Sequence, residues 1–180
     1  MKKALLIAAA ILLFAGSINA QPGTSYMGVY GDANHSICRV DPIQYVPFHA
    51  YIMVLPSVRG MQAAEFTLLL PGTIITSGTA KNADITVELG SLTGGISCAF
   101  GSCHSDWTVL YDLTCIALAT VPGFIGLSGD ISVNPPIFAI ASCEPGYPSE
   151  PVIYHAPLAC YQPCNVATQS STWGAIKNLF

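Results

Sequence analysis

Apolar and polar side chains alternate with a period of two along much of the chain, and this alternation restricts the fold more than any other feature. Between Val46 and Val54 every second residue is apolar, a pattern typical of a β-strand with one buried face. The pattern recurs in 63–70, 84–89, 107–120 and 125–133. Because Gly and Pro turns, and no helical pattern, separate these segments, we predict an all-β, two-sheet β-sandwich of the jelly-roll type.

The first two long strands follow each other closely in the sequence. Only the turn Pro56–Gly60 separates 46–54 from 63–70. The sequence therefore predicts that these two strands are neighbours in one sheet.

The first twenty residues have the pattern of a signal peptide. Lys2 and Lys3 precede an apolar run from Ala4 to Gly16, and small or tolerated residues follow up to Ala20. The run is shorter than the roughly 18 residues that cross a bilayer. We therefore predict a signal peptide over 1–20, no integral membrane segment after cleavage, and a protein that is secreted to the periplasm, the outside of the cell or its surface.

The charge of the exported part excludes one class of partner. Removal of residues 1–20 leaves four basic and ten acidic side chains, a net charge of −6. Nucleic-acid binding requires clustered Lys and Arg, so no nucleic-acid partner is expected. The remaining 160 residues suit one domain with a sizeable core.

A resemblance follows from the order of the strands and one motif. Residues 60–68, GMQAAEFTL, follow the long strand 45–55 and precede a later strand at 106–114. In this respect residues 26–133 resemble cohesin-like and related carbohydrate-binding-module β-sandwiches, whose strand begins with "G-x-x-A-x-E-F-x-L" character. The chain also resembles uncharacterised small secreted bacterial proteins that end like TWGAIK. The resemblance implies a sandwich core over 21–134, and cohesins bind dockerin modules through a sheet face, but it supplies no binding residue here.

The C-terminal part differs in composition from the sandwich core. Residues 135–171 are rich in Pro and Cys, and we expect them to pack on the sandwich as disulfide-tied loops with one or two short strands near Val152–Tyr154. Residues 172–180 place Trp173, Ile176 and Leu179 at helical spacing, which predicts a short amphipathic tail.

Seven cysteines lie in the exported part, where disulfides are the default. Cys115 alternates with apolar residues and is predicted to be a buried free thiol. We expect Cys98 to pair with Cys103 across a short turn, and Cys143 to pair with Cys160 or Cys164, leaving the other for Cys38. The predicted disulfide set is therefore Cys38, Cys98, Cys103, Cys143, Cys160 and Cys164.

The string from Cys98 through Cys103 to His104 also suggests two cofactors. It is a lengthened form of the C-x-x-C-H spacing that attaches c-type haem, so an exported redox or haem protein is one alternative. Zinc could use the same three residues with Cys160 or Cys164. A hairpin disulfide explains the cysteines without a cofactor, so we predict no cofactor and no metal site.

No catalytic residue is predicted. Hydrolysis would require an activated nucleophile or paired carboxylates, and the available acids mostly alternate with core residues as solvent-facing positions would. These candidates are Asp84, Glu88, Asp106, Asp112 and Asp130.

Exposed aromatic side chains are the best candidates for a binding surface, because flat rings give a large contact area at low entropic cost. Tyr51 alternates away from the apolar face of its strand, and Trp107 precedes another strand. The sequence thus predicts a secreted, non-enzymatic binding or structural interaction module whose partner is an extracellular protein or a polysaccharide. A carbohydrate-active secreted protein is the other alternative.

Overall fold

The fold consists of β-strands joined by turns. The computed structural model describes residues 23–164, so the predicted signal peptide and the predicted tail 172–180 lie outside the described residues. Within this range the chain forms twelve strands. Their bounds are β1 Ser25–Tyr30, β2 Arg39–Val40, β3 Pro47–Leu55, β4 Met61–Leu69, β5 Ile74–Lys81, β6 Ile85–Ser91, β7 Gly95–His104, β8 Thr108–Ala117, β9 Gly123–Ser128, β10 Ala139–Ala141, β11 Ser149–Tyr154 and β12 Leu158–Cys160.

The strands pack as two layers. The first has the order β11-β1-β3-β8-β5, and the second runs from β2 through β12, β9 and β4 to β7 and β6. β10 pairs with both β4 and β11 and so joins the layers along one side. Most pairs are antiparallel, but β1 with β11 and β2 with β12 are parallel. The predicted all-β sandwich is confirmed, with mixed strand pairing.

The core lies between the layers because the alternating strands direct one apolar face inward. Along β8, Tyr111, Leu113 and Cys115 are at most 1% exposed, and the ring of Phe66 in β4 meets that of Tyr111 from the second layer. Asp112, between two of these residues, lies at the outer surface. Burial of a large apolar side chain stabilises the fold by roughly 1.5–3 kcal/mol. Exposing the apolar face of β8 would lose this free energy at each residue, so the face that carries Asp112 is the one that points outward.

The strands β3 and β4 lie in different layers, so the prediction that they are neighbours is wrong. β3 pairs with β1 and β8, whereas β4 pairs with β7, β9 and β10. The turn between them, closed by a hydrogen bond from Gly60 N to Ser57 O of 2.9 Å, carries the chain from one layer to the other. An alternating pattern specifies which face of a strand is buried, but it does not specify the neighbouring strand.

Two disulfides brace the sandwich, and they correct the predicted pairing. Cys38 bonds to Cys164, one of the alternatives above, and Cys103 bonds to Cys143. Cys98 does not pair with Cys103 because the two side chains of β7 point to opposite sides. Cys98 is 1% exposed in the core, and Cys103 lies at the surface.

Three cysteines within residues 23–164 are buried free thiols: Cys98, Cys115 and Cys160. The structure thus has Cys115 as a thiol, and it differs from the prediction that Cys98 and Cys160 are disulfide-bonded.

Gly60 leaves room for the bond between Cys103 and Cys143, since a Cβ at Gly60 would lie 2.6 Å from the Cys103 Sγ.

The Pro- and Cys-rich segment completes both layers. β11 coincides with the strand predicted near Val152–Tyr154, and it extends the first layer beside β1. β12 pairs with β9 and β2 in the second layer. Disulfides from Cys143 and Cys164 tie the segment to the rest of the sandwich.

Candidate functional site

Tyr51 and Trp107, the two predicted binding residues, lie on the outer face of the first layer beside a third aromatic residue, Tyr30. In β3 the flanking Ala50 and Ile52 are 0% exposed, so Tyr51 points outward. Tyr51 is the register partner of Tyr30 in β1. The indole ring of Trp107 meets the Tyr30 ring edge to face, with 5.7 Å between centroids. The fold therefore assembles one aromatic cluster from three distant segments.

Trp107 is covered on one side by a stacked histidine. The ring of His35 lies 4.2 Å from the indole, with 14° between the planes. The turn that carries His35 is held by Asp32, whose Oδ1 accepts hydrogen bonds of 2.8 Å from Ser36 N and Ile37 N. The Ser36 hydroxyl also donates to Asp32 Oδ2 over 2.6 Å. Although burial raises it, this hydrogen bond and those from the backbone hold the pKa of Asp32 below its usual value. His35 is therefore positioned by its own loop.

Tyr30 lies at the centre of the cluster and is 2% exposed. Its hydroxyl oxygen is 2.7 Å from Nδ1 of His155. Burial, and then the charge of Tyr154, raise the pKa of Tyr30 well above its ordinary value, so the hydroxyl keeps its proton and donates. Burial, and then His35, lower the pKa of His155. A neutral imidazole accepts this hydrogen bond at pH 7.

Gly28 allows this arrangement on β1. A Cβ at Gly28 would lie 3.1 Å from the Tyr30 hydroxyl oxygen and 3.0 Å from the carbonyl oxygen of Ala156. That carbonyl accepts a hydrogen bond of 3.0 Å from Val29 N. The absent side chain thus lets the segment that carries His155 approach Tyr30.

The cluster continues along β3 and β8 through a hydrogen-bonded pair of polar side chains. Nδ1 of His49 donates to Oδ1 of Asp112 over 2.7 Å, and the His49 and Tyr51 rings are parallel within 19°, with 6.0 Å between centroids. Burial, and then the charges of Asp112 and Asp32, raise the pKa of Tyr51. We call this surface the aromatic face. It comprises Tyr30, Asp32, His35, His49, Tyr51, Trp107, Asp112 and His155.

The aromatic face is acidic apart from its histidines. Each Lys or Arg within the described residues pairs with a carboxylate outside this face. The pairs are Arg39 with Asp41 at 2.9 Å, Arg59 with Glu144 at 3.5 Å and Glu150 at 3.4 Å, and Lys81 with Glu88 at 2.7 Å. None of these three cations lies on the aromatic face, where Asp32 and Asp112 are the carboxylates that can accept hydrogen bonds.

The string that suggested haem or zinc is divided between two environments. Cys103 is consumed by its disulfide with Cys143, and Cys98 faces the core. His104 lies against the ring of Phe100, with 4.4 Å between centroids. Because the two sulfurs do not face one another, this segment lacks the arrangement that haem attachment or zinc binding requires.

The carboxylates considered for hydrolysis serve other contacts. Glu88 accepts hydrogen bonds of 2.7 Å from Lys81 and from Tyr111, and these hold its pKa below the usual value. Asp130 is 3% exposed and accepts a hydrogen bond from Ser132 N over 2.8 Å. Among residues 23–164, no three His, Cys, Asp or Glu side chains form a group that could hold a metal ion.

Sequence reasoning missed Tyr30, His35 and His155. Tyr30 ends a short strand, and the two histidines lie in a turn and after β11, where no alternation indicates orientation. The only available signal was their residue type, because histidine and tyrosine are amphipathic.

Comparisons with known proteins identify the fold. No protein-family model matches the sequence, and no curated protein matches it. Solved structures that are similar in fold over most of the chain include two cohesins. A non-cellulosomal cohesin from the hyperthermophilic archaeon Archaeoglobus fulgidus is 9% identical, with a TM-score of 0.52 over 73% of this chain and 86% of that one. The fold is a cohesin-like β-sandwich.

The second similar structure is the sixth cohesin of scaffoldin B from Acetivibrio cellulolyticus, which was solved in complex with a Cel5 dockerin mutant. It is 10% identical, with a TM-score of 0.53 over 78% of this chain and 99% of that one. Identities this low establish the fold alone. Within the described part of the chain, no helix is long and apolar enough to cross a membrane.

Proposed function

We propose that this chain is an exported, non-enzymatic binding module that recognises a protein partner through the aromatic face. The observation that carries the proposal is a row of aromatic and imidazole rings on one outer sheet face. Trp107 and His35 lie beside Tyr30. Tyr51 is the register partner of Tyr30 in the next strand and stacks on His49. Tyr and Trp are the residues that contribute most often to binding energy at protein interfaces.

The rigidity of the aromatic face supports binding. Tyr30 is held by its hydrogen bond to His155, and Trp107 is held between the rings of Tyr30 and His35. An interface that immobilises a freely rotating side chain loses about 0.5–1.5 kcal/mol of binding free energy in rotamer entropy. Side chains that are already fixed before association avoid most of this cost. The surface is therefore organised before a partner arrives.

The charge of the face favours a partner that presents Lys or Arg. A guanidinium or ammonium group over Tyr51 would gain a cation–π contact, and the neighbouring carboxylate of Asp112 would accept a charge-assisted hydrogen bond from it. The net charge of −6 on the exported chain adds long-range attraction for such a partner.

The fold adds support from one relative. The scaffoldin B cohesin was solved with a dockerin bound, so in that protein the same sandwich serves a protein–protein contact. We infer by analogy that the sandwich serves a protein contact here as well.

Export is the second part of the proposal. The predicted signal peptide 1–20 and two disulfides support secretion, since disulfides persist in oxidising compartments. We propose that the module acts in the periplasm, outside the cell or at its surface, and that residues 172–180 form a tail beyond the domain.

A polysaccharide is the other partner class that the sequence predicted. Sugar rings stack on exposed aromatic planes, and one plane of the Trp107 indole is already occupied by His35. This favours a protein partner, and the experiment below separates the two.

The test is retention of the partner by immobilised protein. Full-length protein is incubated with the exported fraction of the producing organism, with and without prior protease or glycosidase treatment of that fraction. We expect one protein to be retained by the wild type and at least about tenfold less by Tyr51→Ser with Trp107→Ser, which corresponds to 1.4 kcal/mol or more.

A matched control uses the opposite layer. Leu89 is 68% exposed on β6, so Leu89→Ser removes an exposed apolar side chain without touching the aromatic face. Equal retention by both variants would refute the proposed surface, and a ligand that survives protease but not glycosidase would establish the polysaccharide.

A further inference from the structure

Four large apolar side chains are exposed together at one end of the sandwich, in the segment that joins β2 to β3 and directly after β8. Their exposed fractions are 71% for Ile43, 68% for Tyr45, 46% for Val46 and 37% for Leu118. Two hydrogen bonds hold the segments together, from Tyr45 N to Ala117 O over 2.9 Å and from Gln44 Nε2 to Leu118 O over 2.7 Å. We call the four exposed residues the end patch. Clustered apolar side chains at a surface, unlike single ones, mark an interaction site.

Tyr45 has a strained backbone within the end patch. Its φ is +61°, in the left-handed region that costs about 1–3 kcal/mol for a residue other than glycine. The hydrogen bond to Ala117 O holds this conformation, and Val46 N donates to Ile43 O over 3.0 Å to close the turn. Strain of this kind persists where the surrounding structure fixes a residue for a contact. The backbone of Tyr45 therefore supports an occupant for the end patch.

The last described residues contact both segments that carry the end patch. The Tyr161 hydroxyl donates to Pro42 O, in the segment between β2 and β3. The side-chain amide of Gln162 donates over 2.8 Å to Gly123 O, which follows the loop that starts with Leu118. The chain therefore leaves the described domain beside the end patch.

The disulfide between Cys164 and Cys38 fixes where the following segment starts. Sixteen residues, 165–180, follow Cys164 in the sequence, and Trp173 is nine positions beyond it. An extended chain covers roughly 3.3 Å per residue, so Trp173 can reach any point within roughly 30 Å of Cys164. A tether this short gives an effective concentration on the order of millimolar at a nearby site. The segment therefore has an advantage over any free partner, including a second copy of the chain.

The sequence of this segment complements the end patch. Trp173, Ile176 and Leu179 recur at helical spacing, and a helix of nine residues is marginal in water unless its apolar stripe is buried. Lys177 is the only charged side chain in 165–180, whereas residues 23–164 carry three basic and ten acidic side chains. The opposite charges add attraction between the segment and the domain.

We propose that residues 172–180 fold back on the preceding domain and bury Trp173, Ile176 and Leu179 against the end patch. The inference rests on the tail proposed above and gives it an intramolecular binding site. It does not use the aromatic face, because Trp107 precedes β8 and the end patch lies where β8 ends. Tail docking and partner binding therefore take place at opposite ends of one strand.

The fluorescence of Trp173 tests the proposal in the full chain. The chain has two tryptophans, so Trp107→Phe leaves Trp173 as the one indole that reports. We expect acrylamide to quench Trp173 less in the folded protein than in urea, and equally at low and high protein concentration. Quenching as strong as in urea would overturn the proposal. Protection that disappears on dilution would overturn it as well, because the occupant would then be a second copy.

Matched variants in the same background locate the docking site. Ile43→Ser with Val46→Ser removes two apolar side chains of the end patch, and the quenching of Trp173 should rise towards its value in urea. Val58→Ser with Leu89→Ser is the control, since these side chains are 61% and 68% exposed outside the end patch, and it should leave the quenching unchanged. Equal quenching in the two variants would show that the tail does not occupy the end patch.

A second measurement leaves the aromatic face and the tail intact. A benzophenone amino acid is placed at Tyr45, the protein is irradiated, and its digest is analysed for linked peptides. We expect position 45 to be linked to a peptide from 172–180 in a product of monomer mass. A product of dimer mass, or no link to 172–180, would contradict the proposal. The same protein can be used in the partner-retention experiment, so failure of tail docking and failure of partner binding are distinguishable.

Discussion

Tyr30 holds the aromatic face together through one hydroxyl group. Tyr30→Phe keeps the ring contacts with Trp107 but removes the hydrogen bond to His155. A neutral hydrogen bond contributes about 1 kcal/mol, so we expect the free energy of unfolding to fall by about that amount in urea denaturation at pH 7. Tyr51→Phe is the matched control, because its ring is half-buried at the surface, and it should change stability by less than about 0.5 kcal/mol. Equal losses in the two variants would contradict the role given to Tyr30.

His155 makes stability depend on pH near neutrality. Its pKa is lowered in the folded state by burial and by His35, while the unfolded chain keeps a value near 6.5. Below about pH 6.5 the unfolded state therefore binds more protons than the folded state, and stability is lost as pH falls. Above that pH this contribution is fully present.

The measurement is the urea midpoint between pH 5 and 8. The wild type should lose stability below about pH 6.5, and His155→Gln should lose less over the same interval. Asp32 and Glu88 have pKa values below their usual range, so their contributions fall only at more acidic pH and do not overlap this window. Identical pH profiles for the two proteins would show that His155 is not the group responsible.

The sequence predicts part of the aromatic face and misses the rest for a definite reason. Tyr51 lies in a strand whose alternation determines which side chains face outward, and Trp107 immediately precedes another such strand. Tyr30 is buried on the outer side of its own strand, beneath Trp107 and His155. No local pattern can indicate burial that arises from a contact between residues so far apart.

At the level of strands, the hairpin between β6 and β7 depends on Gly95. Its φ is +101°, and a Cβ there would lie 1.9 Å from Oδ1 of the buried Asp130. Gly95→Ala therefore adds a steric clash to a backbone strain of about 1–3 kcal/mol. We expect it to lower the free energy of unfolding by about 3 kcal/mol or more.

Two other glycines allow the cost of backbone strain to be measured apart from the cost of a steric clash. Gly146 has φ of +87° but nothing within 4 Å of an added Cβ, so Gly146→Ala should cost about 1 kcal/mol through strain alone. Gly72 has nothing within 4 Å of an added Cβ and no positive φ, so Gly72→Ala should be neutral within about 0.5 kcal/mol. Thermal or urea unfolding of the three variants checks this order, and a cost for Gly95→Ala no larger than that for Gly146→Ala would contradict it.

Strand positions were more predictable than strand partners. The alternation located β3, β4 and β8 because their apolar faces are buried in the core. It placed Val87 and Leu89 on a buried face of β6, yet they are 49% and 68% exposed. β6 pairs only with β7 among the described strands, so the end of this hairpin extends beyond the region that the opposite layer covers.

The disulfide pairing was mispredicted for the same reason, because it depends on which strands pair with β7. The sequence suggested a turn between Cys98 and Cys103, but β7 continues from Gly95 to His104 because it pairs with both β4 and β6. A strand held on both sides cannot fold back within that segment. Cys103 bonds instead to Cys143, and both sulfur atoms lie beside the turn at Gly60.

For the whole molecule, the two disulfides should differ in their effect on stability. Cys38 and Cys164 are separated by 126 positions, and Cys103 and Cys143 by 40. Loop-closure entropy in the unfolded chain makes the longer link worth about 1 kcal/mol more. Replacing both cysteines of a pair with Ala should therefore cost about 1 kcal/mol more for Cys38 with Cys164 in urea denaturation. The reverse order would show that native-state packing outweighs chain entropy.

The most direct test of the central claim is site-specific photo-crosslinking in the exported protein of the producing organism. A benzophenone amino acid is placed at Thr114, the register partner of His49 on the aromatic face, or at Thr86, an exposed position on β6 in the other layer. We predict that irradiation gives one discrete protein adduct from position 114 and none from position 86. An adduct from position 86 alone, or equal adducts from both positions, would contradict the assignment of the aromatic face as the docking surface.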